Sequence, residues 1–128
     1  MSGIINSAGS KSGVIGFSGD IVAQGSNSNG SYIKFSSGVM HCWFDDSGYA
    51  ATTSAWEDTF YKSSTINYTF PVAFNSAPVV SASVTSVAAY CWTVNEGHSA
   101  TGTGIIAFSD RTTSTACLIK YSAIGTWK

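Results

Sequence analysis

From Ser31 onward apolar and polar residues alternate in short runs bounded by glycine, proline and serine, which is the pattern of half-buried strands joined by turns. Ser31–Phe35 and Val39–Phe44 read as a hairpin closed near Gly38, with Ile33 and Phe35 on one face and Tyr32 and Lys34 on the other. Both faces of the second strand are apolar, Val39/His41/Trp43 and Met40/Cys42/Phe44, so one is expected inside and the other against a partner. Asp45 to Ser64 is less regular: Ser54-Ala55-Trp56-Glu57 matches a capping box, so one helical turn and a wide loop are both open readings. Ile66, Tyr68 and Phe70 alternate with Asn67 and Thr69 until Pro71 ends the strand, and Pro78 opens the next run, Val79–Thr85. Ala88, Tyr90, Trp92 and Val94 share one face of a further strand, and Thr103–Phe108 and Thr115–Tyr121 supply two more. The spacing predicts an all-β fold, an antiparallel β-sandwich of about six to seven strands.

Ahead of these runs, residues 1–30 are rich in glycine and serine, with isolated apolar pairs at Ile4-Ile5, Val14-Ile15 and Ile21-Val22. Such pairs cannot build a core, so the segment reads as a neck or stalk end and residues 31–128 as the folded domain. The chain of 128 residues has room for one core. The segment MSGIINSAGSKSGVIG lacks a basic region followed by a sustained apolar stretch, so no secretory signal is expected, and no run approaches the ~18 apolar residues of a spanning helix.

Composition sharpens this picture. Charged residues are 10% of the chain, and 35 positions are serine or threonine, so hydroxyls and amides cover much of the surface. These residues rank low in helix propensity and suit strands and turns. A net charge of −1 with six scattered basic residues offers no cationic cluster, which argues against nucleic acid as a partner. Cys42, Cys91 and Cys117 form no C-x-x-C pair and lie in apolar runs, so three buried thiols are expected.

Three stretches carry a resemblance: Asn29-Gly30-Ser31-Tyr32-Ile33-Lys34-Phe35-Ser36-Ser37-Gly38, Thr69-Phe70-Pro71-Val72-Ala73-Phe74-Asn75-Ser76-Ala77-Pro78, and Tyr121-Ser122-Ala123-Ile124-Gly125-Thr126-Trp127. From about Gly25 to the C-terminus the chain resembles the C-terminal receptor-binding tip domains of bacteriophage tail fibres and tail spikes, which are similar to the H-type lectin fold. Asn6–Gly16 is similar to segments that precede such tips. The resemblance implies a homotrimer in the virion, made in the host cytoplasm and joined to the rest of the fibre through its N-terminal segment. It implies binding of a host cell-surface receptor, a glycan above all. Reduced thiols follow from synthesis in a reducing cytosol. In the lectins an aromatic-x-Asp stretch lines the sugar pocket, and Phe108-Ser109-Asp110-Arg111 is the matching stretch. The alternative is a structural trimerisation or capping module with no ligand of its own.

Sugar recognition needs an aromatic face for the C–H side of a ring and a few fixed donors and acceptors for its hydroxyls. Candidate ligand-binding residues are Asn95, Glu96 and His98, expected just beyond a strand, and Asp110 and Arg111, with Trp56 and Tyr49 of the long loop as aromatic platform. Tyr90 and Trp92, which share parity with Ala88 and Val94, are expected in the core. Asp45-Asp46 and Glu57-Asp58 are neighbours whose side chains diverge on a strand, unlike the converging carboxylates of glycoside hydrolysis, so no catalysis is expected. His41-Cys42 has no further ligand at metal spacing, so neither metal nor cofactor is expected, and no membrane insertion.

Overall fold

A computed structural model describes residues 19–128. The strands are β1 (Ile21–Asn27), β2 (Gly30–Phe35), β3 (Val39–Thr52), β4 (Ser54–Trp56), β5 (Phe60–Lys62), β6 (Ile66–Thr69), β7 (Val79–Ser86), β8 (Cys91–His98), β9 (Gly102–Ser109) and β10 (Thr113–Thr126). There is no helix among the described residues. One sheet has the order β1-β2-β3-β10-β7; in the other, β9 is flanked by β8 on one edge and by β5 and β6 in turn on the other, with β4 outside β5. Every pairing is antiparallel. The all-β antiparallel sandwich is as the alternation predicts, with ten strands among the described residues in place of six to seven.

The extra strands lie where the alternation is weakest. Ile21–Asn27, assigned by composition to the neck, pairs along the whole of β2, so the sheet begins ten residues before Ser31. Its polar sequence, Ala23-Gln24-Gly25-Ser26-Asn27, is that of an edge strand, which needs ladder bonds and not a buried face. The rest of the predicted neck, with Ile4-Ile5, Val14-Ile15 and the Asn6–Gly16 stretch, lies outside the described residues. Asp45 to Ser64 is neither loop nor helix: β3 runs on to Thr52, and Ser54–Lys62 folds back as the β4–β5 hairpin. Trp56 pairs with Phe60 across its turn, so the first three capping-box residues, Ser54–Trp56, lie in a strand and Glu57 opens the turn.

The inner faces of both sheets interdigitate. Met40, Cys42 and Ala50 of β3 and Ala116, Cys117, Ile119, Tyr121 and Ala123 of β10 meet Ile105 and Ala107 of β9 in a buried core. Of the two apolar faces of β3, Met40/Cys42 is the inner one, and Val39 and Trp43 stay exposed on the outer one. The three stretches that carry the resemblance converge at one place: Phe70 packs edge-on against Phe74 and beside Tyr121, Asn75 donates its N–H to the Thr126 carbonyl, and the Trp127 indole donates to the Phe35 carbonyl at 2.9 Å. These motifs are therefore framework.

Two further details bear on the site. Between β5 and β6 the chain stays on the β9 edge through Ser63, whose N–H donates to the Ala107 carbonyl and whose Oγ accepts the Ala107 N–H at 3.1 Å. Cys91 of β8 and Cys117 of β10 form a disulfide across the two layers, with Cα atoms 6.5 Å apart, and Cys42 is the buried free thiol. This corrects the expectation of three thiols: parity places Cys91 and Cys117 on the facing inner surfaces, which separation in sequence conceals.

The core also sets a pH limit. Burial pushes Tyr121 up to about 12 from 10.0 and Cys42 up to about 11 from 9.0. Tyr68 is raised too, first by burial and then by donating its hydroxyl to Asp46 at 2.7 Å. A raised folded pKa means the fold favours the protonated form, so this stability is complete below the ordinary values and lost as pH climbs through the folded ones. Melting temperature is expected to hold up to about pH 9 and to fall between there and pH 12. Tyrosinate absorbance from Tyr68 and Tyr121 should rise only as the fold is lost; a melting temperature level through pH 11 would contradict this assignment.

Candidate functional site

The chain enters the first sheet at Ile21, opposite Phe35, at the end that also holds Val39, Thr126 and Val79. This is the proximal end. The distal end carries the turn from Ser86 to Cys91 and the turn from Ser109 to Thr113, and the disulfide aligns these two turns across the layers.

At the distal edge of the second sheet the ladder continues one pair beyond its strands. Tyr90 N–H donates to Asp110 Oδ1 at 3.0 Å, and Asp110 N–H donates to the Tyr90 carbonyl. Arg111 closes on the same carboxylate through Nε at 3.1 Å and Nη2 at 2.7 Å, and its guanidinium holds the Asp110 carboxyl below the ordinary range. Tyr61 pairs with Ser109, so Phe60 and its partner Trp56 stand level with this Asp110–Tyr90 pair. One layer inward, Trp92 stacks on Phe108 with centroids 5.7 Å apart and an angle of 9°, Phe60 meets Trp92 edge-on at 5.2 Å, and Trp56 meets Phe108 edge-on at 5.0 Å. The result is an aromatic ridge on the outer face of the second sheet, open at Tyr90 (79% exposed) and Trp56 (40%). Beside it a depression of about 340 Å³ lies between Val87, Tyr90 and Arg111.

Nearer the proximal end of the same face is a groove of about 400 Å³ bounded by Asn67, His98 and Thr103 over a floor of Gly97, Gly102 and Gly104. A smaller hollow of about 190 Å³ shares Asn67, Gly97 and Gly104 and adds Thr65 and Glu96. Thr65 Oγ1, just ahead of β6, donates to Glu96 Oε1 of β8 at 3.0 Å over Gly104. A side chain at Gly104 would meet Thr65 Cγ2 at 3.0 Å and Asn67 Oδ1 at 3.3 Å, so glycine is what leaves this floor open.

The residues proposed from sequence therefore divide. Trp56, Asp110 and Arg111 come together at the distal ridge. Asn95, Glu96 and His98 lie within β8, not beyond it, toward the other end. Asn95 is spent on structure, its amide donating to the Val80 carbonyl at 3.0 Å, whereas Glu96 and His98 border the groove. Tyr49 pairs with Leu118 in the other sheet, away from the ridge. Tyr90 and Trp92 are on the outer face and not in the core, because Cys91, Thr93 and Asn95 take the inner one. Phe60, Asn67 and Thr65 were not singled out by sequence: Phe60 sits on a strand too short to be marked, and Asn67 reads only as the polar face of its strand.

The outer face of the first sheet is apolar at its proximal end. Ile33, His41, Ile124 and Val79 lie in one cross-strand row, with Val39, Trp43 and Ile21 adjoining. Val79 is 75% exposed and Ile124 is 52%.

No protein-family model matches the chain, and no curated protein matches it in sequence. Among solved structures it is similar to a C-terminal fragment of the R1 pyocin fibre of P. aeruginosa, with a TM-score of 0.60 and 21% identity over 81% of this chain. It covers 28% of that fragment. An N-truncated R1-type pyocin tail fibre is similar at a TM-score of 0.60 and 20% identity, over 80% of this chain and 84% of that one. The fold is thus one found within the C-terminal part of a pyocin tail fibre.

Proposed function

We propose that this chain is the receptor-binding tip of a phage-type tail fibre, part of the virion, which binds a host cell-surface glycan as a homotrimer. The observation that carries the reading is the row of exposed aromatics at the distal end, Trp56, Phe60 and Tyr90 beside Arg111, because a fibre tip meets its receptor at the end away from its stalk. The likeness in fold to pyocin fibre fragments supports the setting, and loops on a rigid sheet are the usual carriers of binding groups. The apolar proximal face of the first sheet suits the contact between protomers, since an exposed patch of this kind on a chain with so few charges calls for cover. The function is binding, with no chemistry performed on the receptor.

Adsorption to host cells tests the ligand side. A buried aromatic anchor contributes on the order of 1–2 kcal/mol, and three sites per particle multiply the loss through avidity. Trp56→Ala with Tyr90→Ala should reduce adsorption to background while the melting temperature of the assembly is retained. Arg111→Ala should weaken it less, and is a cleaner probe than a change at Asp110, whose carboxylate anchors the Tyr90 N–H. Adsorption that survives all three changes would put the binding site elsewhere, and a folded wild type that does not adsorb at all would leave a capping module without a ligand. For the assembly, light scattering of the wild type should give a trimer, and Val79→Asp with Ile124→Asp a folded monomer; a wild-type monomer at micromolar concentration sinks the trimer.

A further inference from the structure

We infer that the ligand is a neutral polysaccharide lying lengthwise along β9, from the distal aromatic ridge to the glycine-floored groove, and not a terminal sugar held end-on. This rests on the glycan-binding reading above and goes beyond it by giving the ligand's length, direction and charge. The ridge and the groove share one face. Trp92 and Phe108 mark one row across it, Val94 and Ile106 the next, and Gly97, Gly104 and Asn67 the one after, with Glu96 beside it at the register shift of β8. Phe108 and Gly104 are four residues apart on one strand, a span of about 13 Å. That is longer than one sugar ring, so a monosaccharide cannot touch both places.

The surface between them is graded to suit such a chain. At the ridge, rings offer stacking faces to C–H groups. In the middle, Val94 is exposed and Ile106 buried, which gives a low apolar saddle that obstructs nothing. At the groove the floor is backbone, because Gly97 faces Gly104 across the ladder, and the polar side chains stand at the rims. Thr65 engages only Oε1 of Glu96, so Oε2 is presented to a ligand hydroxyl, and the exposed Asn67 amide provides a donor and an acceptor on the facing rim. Asp110 and Arg111 neutralise each other; of the other charges along the lane, Lys62 lies at the ridge, Glu57 and Asp58 in the exposed turn between Trp56 and Phe60, and Glu96 at the groove, so carboxylates outnumber cations. A polyanionic chain would set repeated negative charge against Glu96 with no cationic groove to offset it. A neutral chain meets neither penalty.

The experiment uses the full-length protein on an array of bacterial surface polysaccharides, followed by titration of graded oligosaccharide fragments of whichever polysaccharide binds. Affinity is expected to rise at least about tenfold from disaccharide to hexasaccharide fragments, as more contacts are made without a second association cost. Glu96→Gln and Asn67→Ala should leave disaccharide binding at the wild-type level and remove that gain, whereas Tyr90→Ala should weaken fragments of every length. Equal affinity for short and long fragments, or groove variants that keep the full gain, would overturn the lengthwise site and leave the receptor reading standing. Binding confined to acidic polysaccharides would overturn the neutral class. No binding to any glycan would overturn the reading itself, and this inference with it.

Discussion

With the Cys91–Cys117 bond opened, by reductant or by Cys91→Ser, the head is expected to melt about 10–15 °C lower while remaining folded. The closed loop spans 26 residues, for which loop-closure entropy gives about 3.5 kcal/mol. Its position adds to the effect. β8 is an edge strand whose ladder bonds all go to β9, and the disulfide ties its distal end to β10, which is paired on both sides in the opposite sheet. Without the bond, Asn95 to the Val80 carbonyl is the hydrogen bond that remains to hold β8 to the other layer. Amide exchange should therefore accelerate over Cys91–His98 before anywhere else in the core. Scanning calorimetry with and without reductant reads the shift, and coincident melting curves would rule the contribution out.

Gly30→Ala should cost about 3–5 kcal/mol, among the largest losses available to a single surface-accessible turn. Gly30 closes the β1–β2 hairpin at φ 129°, a region that side chains rarely adopt. An added Cβ would come within 2.4 Å of the Trp43 carbonyl oxygen, which is backbone in the middle of a paired strand and cannot step aside. The hairpin would have to lift, releasing Asn27 from the Pro71 carbonyl and Ile21–Asn27 from the sheet. Chemical denaturation of the variant measures the cost; a loss under 1 kcal/mol would mean that the turn relaxes in some other way. The same stretch, GSNSNG, reads by composition as part of a neck or stalk end, but its small residues are there because a two-residue turn, Ser28-Asn29, joins β1 to β2, with the Asn27 side chain accepting the Asn29 N–H at 2.8 Å.

Strands with one apolar and one polar face were legible in sequence, and so was the all-β class. Ile66–Thr69, Val79–Ser86 and the β2–β3 hairpin fall where the alternation puts them. Short or polar strands with little buried surface were not, since β1 and the β4–β5 hairpin bury too little to leave a periodic trace. For β8 the period was right and the side was not. Tyr90, Trp92 and Val94 are larger than Cys91, Thr93 and Asn95, and size alone suggests that they face inward. The inner row is instead fixed by partners distant in sequence, Cys117 for Cys91 and Val80 for Asn95. Asp110–Arg111 and Trp56 were found as site candidates by residue chemistry and do meet; Asn95 to His98 were found by the same argument and lie at the other end of the same strand pair.

The division of β9's edge between β5 and β6 has a consequence for engineering. Ser63 holds its place on Ala107 with both its N–H and its hydroxyl, so the register of β6 is reset independently of whatever precedes it. The excursion from Thr53 to Lys62, which brings Trp56 and Phe60 to the ridge, is therefore a cassette: its length and rings are exchangeable between Thr52, buried and hydrogen-bonded to Ser109, and Ser63, without disturbing the strands that follow. On the receptor-binding function proposed above, retargeting would start by transplanting those ten residues from a related fibre and leaving the sandwich untouched.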